Sequence, residues 1–428
     1  METTVIILFF LALCLSLFKP LLGIYSFIAI AYIRPQDYFP ILNNFMPARL
    51  IIFVTLISYL FNQFRSGKKN IPTKQNLGLF LIFLSISLSR IKAIDSLAWW
   101  SATLDFILIL IFYFLLTNLI TSYKKLQKFY RAFLCINFFI AIRYIYAYKT
   151  GTAVILGGRL SDASMGFLGN ADDMGLGMVV AFAYGLIPIF FSEKIITKIL
   201  YGITATCFML AAVISGSRGT HAGITAVFII SILTFLKPRR LNNKKFIFGL
   251  LLVLTLFTLF LVKYRYTLHD SYFSVQNEDD SGRIGRESTW AAAKQMIKDS
   301  PVIGIGRGNF VAYWMANYPP GVYGYQVAHN VFLEVTSEIG ILGLLSYLFF
   351  SLFGIYEVFK IRKQYKEQLK KYSFIDMLFT VYLIGIFGFF LNGMTITVGF
   401  YWHIFILVAI FVSAKNVFLK EVENGRKI

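Results

Sequence analysis

The chain has 428 residues, 57% of them hydrophobic and only 14% charged, with 45 phenylalanines and a mean hydropathy of +0.69. Soluble chains carry roughly 25% charged residues, so this composition excludes a soluble multidomain protein. Apolar runs of about 15–20 residues between short polar loops indicate an all-α polytopic integral membrane protein instead. The formal net charge of +20 would suit nucleic acid, but its distribution along the chain has a simpler origin.

In chain order the apolar runs cover roughly 4–18, 21–33, 50–62, 77–89, 102–120, 129–147, 174–191, 198–214, 220–236, 246–262, 331–356, 374–391 and 399–413. The loops between them alternate in basicity. One set holds Lys68 and Lys69, Lys124 and Lys125, Lys237 to Lys245, and Lys360 to Lys371. The other has scattered arginines and most of the Trp-, Gly- and Asp-containing loops. By the positive-inside rule the basic set is cytoplasmic, and no nucleic acid is needed as a partner. The C-terminal NGRKI then lies inside. Residues 4–33 form either a hairpin broken at Lys19-Pro20 or one long kinked helix, giving about thirteen or about twelve crossings. The first residues lack a basic n-region and a small-residue cleavage site, so no removable signal is read. Cys14, Cys135 and Cys207 all fall in expected spans and propose neither a disulfide nor a metal site. With no internal repeat, residues 1–428 read as one transmembrane domain carrying an extracytoplasmic insertion at 263–330.

Four outside segments concentrate polar groups. They are GGRLSDASMGFLGNADDMG (157–175), ISGSRGTHAG (214–223), the insertion with SGRIGRESTWAAAKQMIKDSPVIGIGRGNF, and AHNVFLEVTSEIGILG from 328. Together they supply Arg159, Arg218, Arg283, Arg286 and Arg307. A guanidinium carries fixed donors that match phosphate oxygens two at a time. Arg218 sits among Gly216, Ser217 and Gly219 where one helix ends and another begins, and the amides of a new helix favour an anion beside it. The alternative for Arg218 is an interfacial side chain snorkelling to headgroups.

Within the insertion, TWAAAKQMIKDSP reads as an amphipathic helix along the membrane surface, with Trp290, Met296 and Ile297 on its apolar face. GIGRGNF has neither the dinucleotide nor the Walker spacing and is no nucleotide loop. In the last segment, Asn330, Glu334 and Glu338 share one helical face below an interfacial His329. Glu338 lies roughly 13 Å beneath that histidine along the axis. The two glutamates either serve the site or pair with an arginine or cap a neighbouring helix. The adjacent pairs Asp172/Asp173 and Asp279/Asp280 point in different directions and read as solvated loop acids, so no metal is expected.

The motifs SGSRG, SGR followed by Trp290 and DSPVIGIGRGNF, and HNVFLEVTSEIGILG, in this order over residues 150–413, resemble the O-antigen ligase and O-antigen polymerase superfamily. That superfamily includes bacterial protein O-oligosaccharyltransferases. YIRPQDYF and the GNADD region are similar to the exosortase-associated O-glycosylation ligase branch. The resemblance implies a GT-C-like fold in the bacterial cytoplasmic membrane and a donor glycan on undecaprenyl pyrophosphate. It also implies an inverting, metal-free and cofactor-free attack by an acceptor hydroxyl at the extracytoplasmic face. The acceptor would be lipid A-core, a growing glycan or a protein. Arg218 and His329 correspond to the family's arginine and histidine, with Arg283, Arg159 and Arg286 as further pyrophosphate ligands and Glu334 orienting His329. An imidazole suits a general base near neutral pH, and fixed guanidinium groups suit a leaving group that gains negative charge. GNADD stands where the family pattern has a proline-asparagine type sequence, which leaves the role of Asn170 open. A lipid-linked sugar flippase is the competing class. It would favour ionisable groups near the midplane and repeat symmetry, whereas the polar groups here crowd toward one face.

Overall fold

The computed structural model describes residues 2–67, 70–156, 159–161, 170–235, 278–317 and 327–425. The expected span at 246–262 and the basic loop at 237–245 lie outside the described residues. Helices α1 (Glu2–Phe18) and α2 (Pro20–Ile33) meet at Lys19, whose φ of −133° and ψ of 86° interrupt the helix ahead of Pro20. Proline has no N–H to lose at a first helical position. The pair forms a hairpin. Phe9 in α1 packs on Phe45, just before α4 (Pro47–Ser66), and Ser58 of α4 donates to the Leu17 carbonyl. Gly23 then lies against Thr55, back toward the start of α4, so α2 returns where α1 came from.

A short α3 (Pro35–Tyr38) and a 3-10 turn (Pro40–Phe45) precede α4. Helices α5 (Lys74–Ser89), α6 (Ser96–Leu119) and α7 (Tyr123–Thr150) each begin with a side-chain cap, from Thr73, Asp95 and Ser122 respectively. A small antiparallel hairpin, β1 (Val154–Leu156) with β2 (Arg159–Ser161), is the only sheet among the described residues. It is followed by α8 (Ala171–Phe191), α9 (Ile195–Ile214) and α10 (Arg218–Phe235). The insertion contributes α11 (Glu278–Asp299) and α12 (Phe310–Asn317). The chain closes with α13 (Val331–Gln364), α14 (Lys366–Lys371), α15 (Ser373–Gly393) and α16 (Trp402–Gly425).

Nine helices among the described residues are long and apolar enough to cross a membrane: α4, α6–α10, α13, α15 and α16. The protein is a multi-pass membrane protein. Three further expected spans fold as the shorter helices α1, α2 and α5. Of the apolar window in α8 and in α16, 83% is buried inside the protein, against 28% in α4 and 22% in α9. The first two are therefore the core of the bundle. The last two expose rows such as Ile195, Ile196, Ile199 and Leu200, which lipid can cover as well as protein can.

The bundle has two chemically different ends. The basic segments at Lys124/Lys125, Arg362/Lys363 and Lys370/Lys371 gather at one end, where Tyr123 packs on Tyr372 and Phe374. At the other end meet the starts of α6, α8, α10, α13 and α16 and the ends of α5, α9 and α15.

Candidate active site

The site is organised by a segment that reads in sequence as the connection between the last two spans and the first residues of the last. Residues Asn392 to Tyr401, NGMTITVGFY, form the turn between α15 and α16. On one side of it, α9 stops at Ile214 and α10 starts at Arg218. Gly216 takes a left-handed φ of 73° between them, and the Ser217 N–H donates to Ser215 Oγ at 3.3 Å. A Cβ at position 219 would collide with Thr395 Oγ1 and lie 2.8 Å from Asn392 Oδ1, so only glycine lets α10 start this close to the turn. Arg218, one residue earlier, is exposed. The Leu160 N–H donates to the Ser215 carbonyl at 3.2 Å, and this bond docks β2, with Arg159, beside the same break.

His329 approaches the same turn. Its φ of 44° is left-handed, a conformation that costs a non-glycine residue on the order of 1–3 kcal/mol and clusters at functional sites. It is held there from both sides. The His329 N–H donates to Thr397 Oγ1 at 2.7 Å. The next residue, Asn330, caps α13 by accepting from the Phe332 and Leu333 N–H groups at 2.9 and 3.1 Å. Its Nδ2 also donates to the Met394 carbonyl at 3.2 Å. The Arg218 turn and the His329 turn thus both pack against one short stretch, Met394 to Thr397.

The carboxylate face of α13 points inward. Glu334 and Glu338 are 5% and 4% exposed. Glu334 Oε2 accepts from the Gly399 N–H at 2.8 Å, two residues beyond the threonine that holds His329. No hydrogen bond links Glu334 directly to the imidazole among those described. Glu338 forms an ion pair with Arg307, whose guanidinium carbon lies 3.8 Å over the Phe400 ring. Of the five outside arginines, Arg307 is therefore committed to a carboxylate, the alternative weighed from the sequence for the two glutamates. Asp173 adds a third acid here, accepting from the Tyr401 hydroxyl at 3.2 Å. Burial first, and then the charges of Asp173 and Glu334, push the Tyr401 phenol up, so it remains a donor.

Asp172 and Asp173 are not solvated loop acids, because α8 begins a turn earlier than the apolar run suggests. Asn170 caps that helix by accepting from the Asp172 N–H at 2.9 Å. Asp172 is 6% exposed. Both aspartates occupy the first turn, where the helix dipole favours negative charge. This also gives Asn170 a structural role. Among the described residues no group of three or more His, Cys, Asp or Glu is arranged to hold a metal ion.

The insertion packs on the protein more closely than a surface-lying helix would. The buried stripe of α11 is Thr289, Ala292, Ala293 and Met296, at helical spacing. The three apolar residues of that stripe share a second core with Ile305, Phe310, Trp314 and Ala328, the neighbour of His329. Trp290 and Ile297 are only half-buried. Arg286, on α11, is half-buried as well. Arg283 lies earlier on α11 and Arg159 on β2, and their side chains lie outside those described. Sequence reasoning took Asp173 for a loop acid and missed Thr397, Gly399 and Tyr401. The only signal available was two threonines and two glycines interrupting an apolar stretch ahead of Trp402.

Residues 203–348 match the O-antigen ligase family. No curated protein matches the chain. The matched domain runs from α9 through the first half of α13 and contains Arg218, Arg283, Arg286, Arg307, His329 and Glu334. Its activity class is glycan transfer of the O-antigen ligase or polymerase type, from a lipid-linked donor.

Proposed function

We propose that this chain, on the strength of its O-antigen ligase domain, transfers a glycan from undecaprenyl pyrophosphate to a hydroxyl acceptor. The reaction takes place with inversion and without a metal, at the extracytoplasmic face of the bacterial cytoplasmic membrane. The observation that supports the reading is that the helix start at Arg218–Gly219 and the turn at His329 both pack against Met394–Thr397, at the end of the bundle away from the basic loops.

The roles follow from the chemistry. Arg218, with Arg159, Arg283 and Arg286, holds the diphosphate and stabilises the charge it gains as the anomeric C–O bond breaks. His329 takes the proton from the acceptor hydroxyl while that oxygen's lone pair forms the new bond to the anomeric carbon. The bonding pair to the donor leaves with undecaprenyl pyrophosphate. Glu334 fixes the Gly399 end of the segment whose Thr397 holds the His329 backbone, and so supports the base indirectly.

The test uses purified protein, a synthetic undecaprenyl-pyrophosphate glycan and EDTA, with released undecaprenyl pyrophosphate as the readout. His329→Ala and Arg218→Ala are each expected to abolish release while the protein stays folded. Full activity of both variants would remove the assignment, and loss to EDTA restored by magnesium or manganese would overturn the metal-free chemistry. Wild type that moves lipid across vesicles without cleaving it would establish the flippase reading. Offering lipid A-core, a second lipid-linked glycan and a protein acceptor in parallel separates ligase, polymerase and protein glycosylation.

A further inference from the structure

The glycine-rich loop of the insertion, Pro301 to Asn309, closes a break in a membrane helix. At Gly340 the backbone of α13 turns to φ 72°, ψ −176°, and the helix stops being a helix. This detaches its first turns, Val331 to Ile339, from the remainder. The freed carbonyls are taken by the loop: the Ile305 N–H donates to Ser337 O at 2.9 Å and the Gly306 N–H to Glu338 O at 3.0 Å. In return the Ile341 N–H donates to Pro301 O at 2.9 Å. Irregular backbone within a membrane protein persists only where other protein groups satisfy it in this way. The fit leaves no room for side chains. A Cβ at Gly304 would strike the Glu338 carbonyl, and one at Gly340 the Val302 carbonyl.

Arg307 is the one charged side chain in this clasp. It pairs with Glu338 in the detached turns and stacks on Phe400 in the α15–α16 turn, and its N–H donates to Ser89 Oγ at the end of α5 at 3.1 Å. It therefore joins four elements: the insertion, the detached turns that follow His329, the turn that holds His329, and α5.

We propose that Arg307 is a positioning residue for His329, tying the base to the insertion that carries Arg283 and Arg286. This rests on the function proposed above. Arg307 is spent on Glu338 and Phe400 and is not itself a diphosphate ligand. Its removal loosens the first two turns of α13 and misplaces the imidazole, and a displacement of about 1 Å in an active site can cost roughly 10²-fold in rate.

The variants are Arg307→Met, Arg307→Lys and the double Arg307→Met/Glu338→Met, which removes both charges and keeps an apolar contact. We expect Arg307→Met and the double variant to lower kcat about 10²-fold while the donor KM stays within about threefold. Arg307→Lys should recover about tenfold of that loss, because it keeps the charge and loses the planar stack. Hydrogen exchange should quicken at residues 331–339 in both variants that lack the ion pair, and not in α8 or α16. If the single variants fail to fold, the double variant carries the same expectation.

A double variant with kcat within about threefold of wild type, or with exchange at 331–339 unchanged, overturns the proposal. So does a donor KM that rises as kcat falls, which would make Arg307 a ligand contact. Failure of the underlying reading looks different: wild type would release no undecaprenyl pyrophosphate, or His329→Ala would be fully active, whatever the exchange data show.

Discussion

The two ends of the bundle treat buried charge in opposite ways. Toward the basic end, Lys415 pairs with Glu357 at 2.7 Å, Gln75 donates to the same carboxylate at 2.6 Å, and Arg362 pairs with Asp376 at 2.7 Å. Each of these two cations has its acid, and the contacts link α5, α13, α15 and α16. At the other end, three carboxylates, Asp173, Glu334 and Glu338, surround the single guanidinium of Arg307. Arg218 there is exposed and His329 is held in a left-handed turn. Matched pairs hold helices in register. Among the described residues, Asp173 and Glu334, largely buried acids with no cation of their own, and the strained histidine lie together at the end of the polar outside segments. A protein spends fold stability on such an arrangement only where chemistry uses it.

Substitutions at the two ends should therefore separate cleanly. The largest effect is expected at His329. His329→Ala should lower the turnover of donor cleavage by about 10²–10⁴-fold, the usual worth of a positioned general base, with an unchanged melting temperature in detergent. Arg218→Ala should follow at about 10²–10³-fold, the usual worth of one fixed group on a leaving-group oxyanion. Equal loss of stability in either variant would erase the distinction between the ends. At the basic end the pattern reverses. Lys415→Met should destabilise by about 3–5 kcal/mol by leaving the largely buried Glu357 without its cation, and Lys415→Met/Glu357→Met should recover most of it. Thermal unfolding checks both, and once folded the double variant should cleave donor at the wild-type rate. The smallest effect is expected from Asn170→Ala, which removes the α8 cap and should cost about 1 kcal/mol. A much larger loss of activity than of stability there would place Asn170 in the site itself.

Much of this arrangement was legible in the residue order. The membrane class, the alternation of basic loops and the polar crowding at one end follow from composition and spacing, because hydrocarbon tolerates so few alternatives to an apolar helix. The helical face shared by Asn330, Glu334 and Glu338 follows from a period of 3.6. The SGSRG break was visible as a helix end near residue 214 and a helix start near residue 220. Other features were not legible. Asp172 and Asp173 looked like loop acids because an apolar run cannot reveal that Asn170 starts the helix a turn early. GIGRGNF resembled a failed nucleotide loop, since its hydrogen-bond partners, Ser337 and Glu338, lie more than thirty residues away in sequence. NGMTITVGFY read as a short connection running into the last span, and nothing local marks Thr397 as the partner of His329 or Gly399 as the partner of Glu334.

The sequence by itself determined what each segment has to do with water and lipid, since that depends on side-chain hydrophobicity and helical period, and both are local. Which of the outside arginines would stack on a ring and pair with Glu338 was decided only in three dimensions. Arg218 and Arg307 both sit beside glycines in outside loops, and the code for the two positions is nearly the same. Arg307 folds over Phe400 onto Glu338, while Arg218 opens a helix whose next residue, Gly219, is pressed against Thr395. That outcome depends on contacts between residues distant in the chain, and ion pairs and close backbone approaches of this kind leave no periodic trace in the sequence.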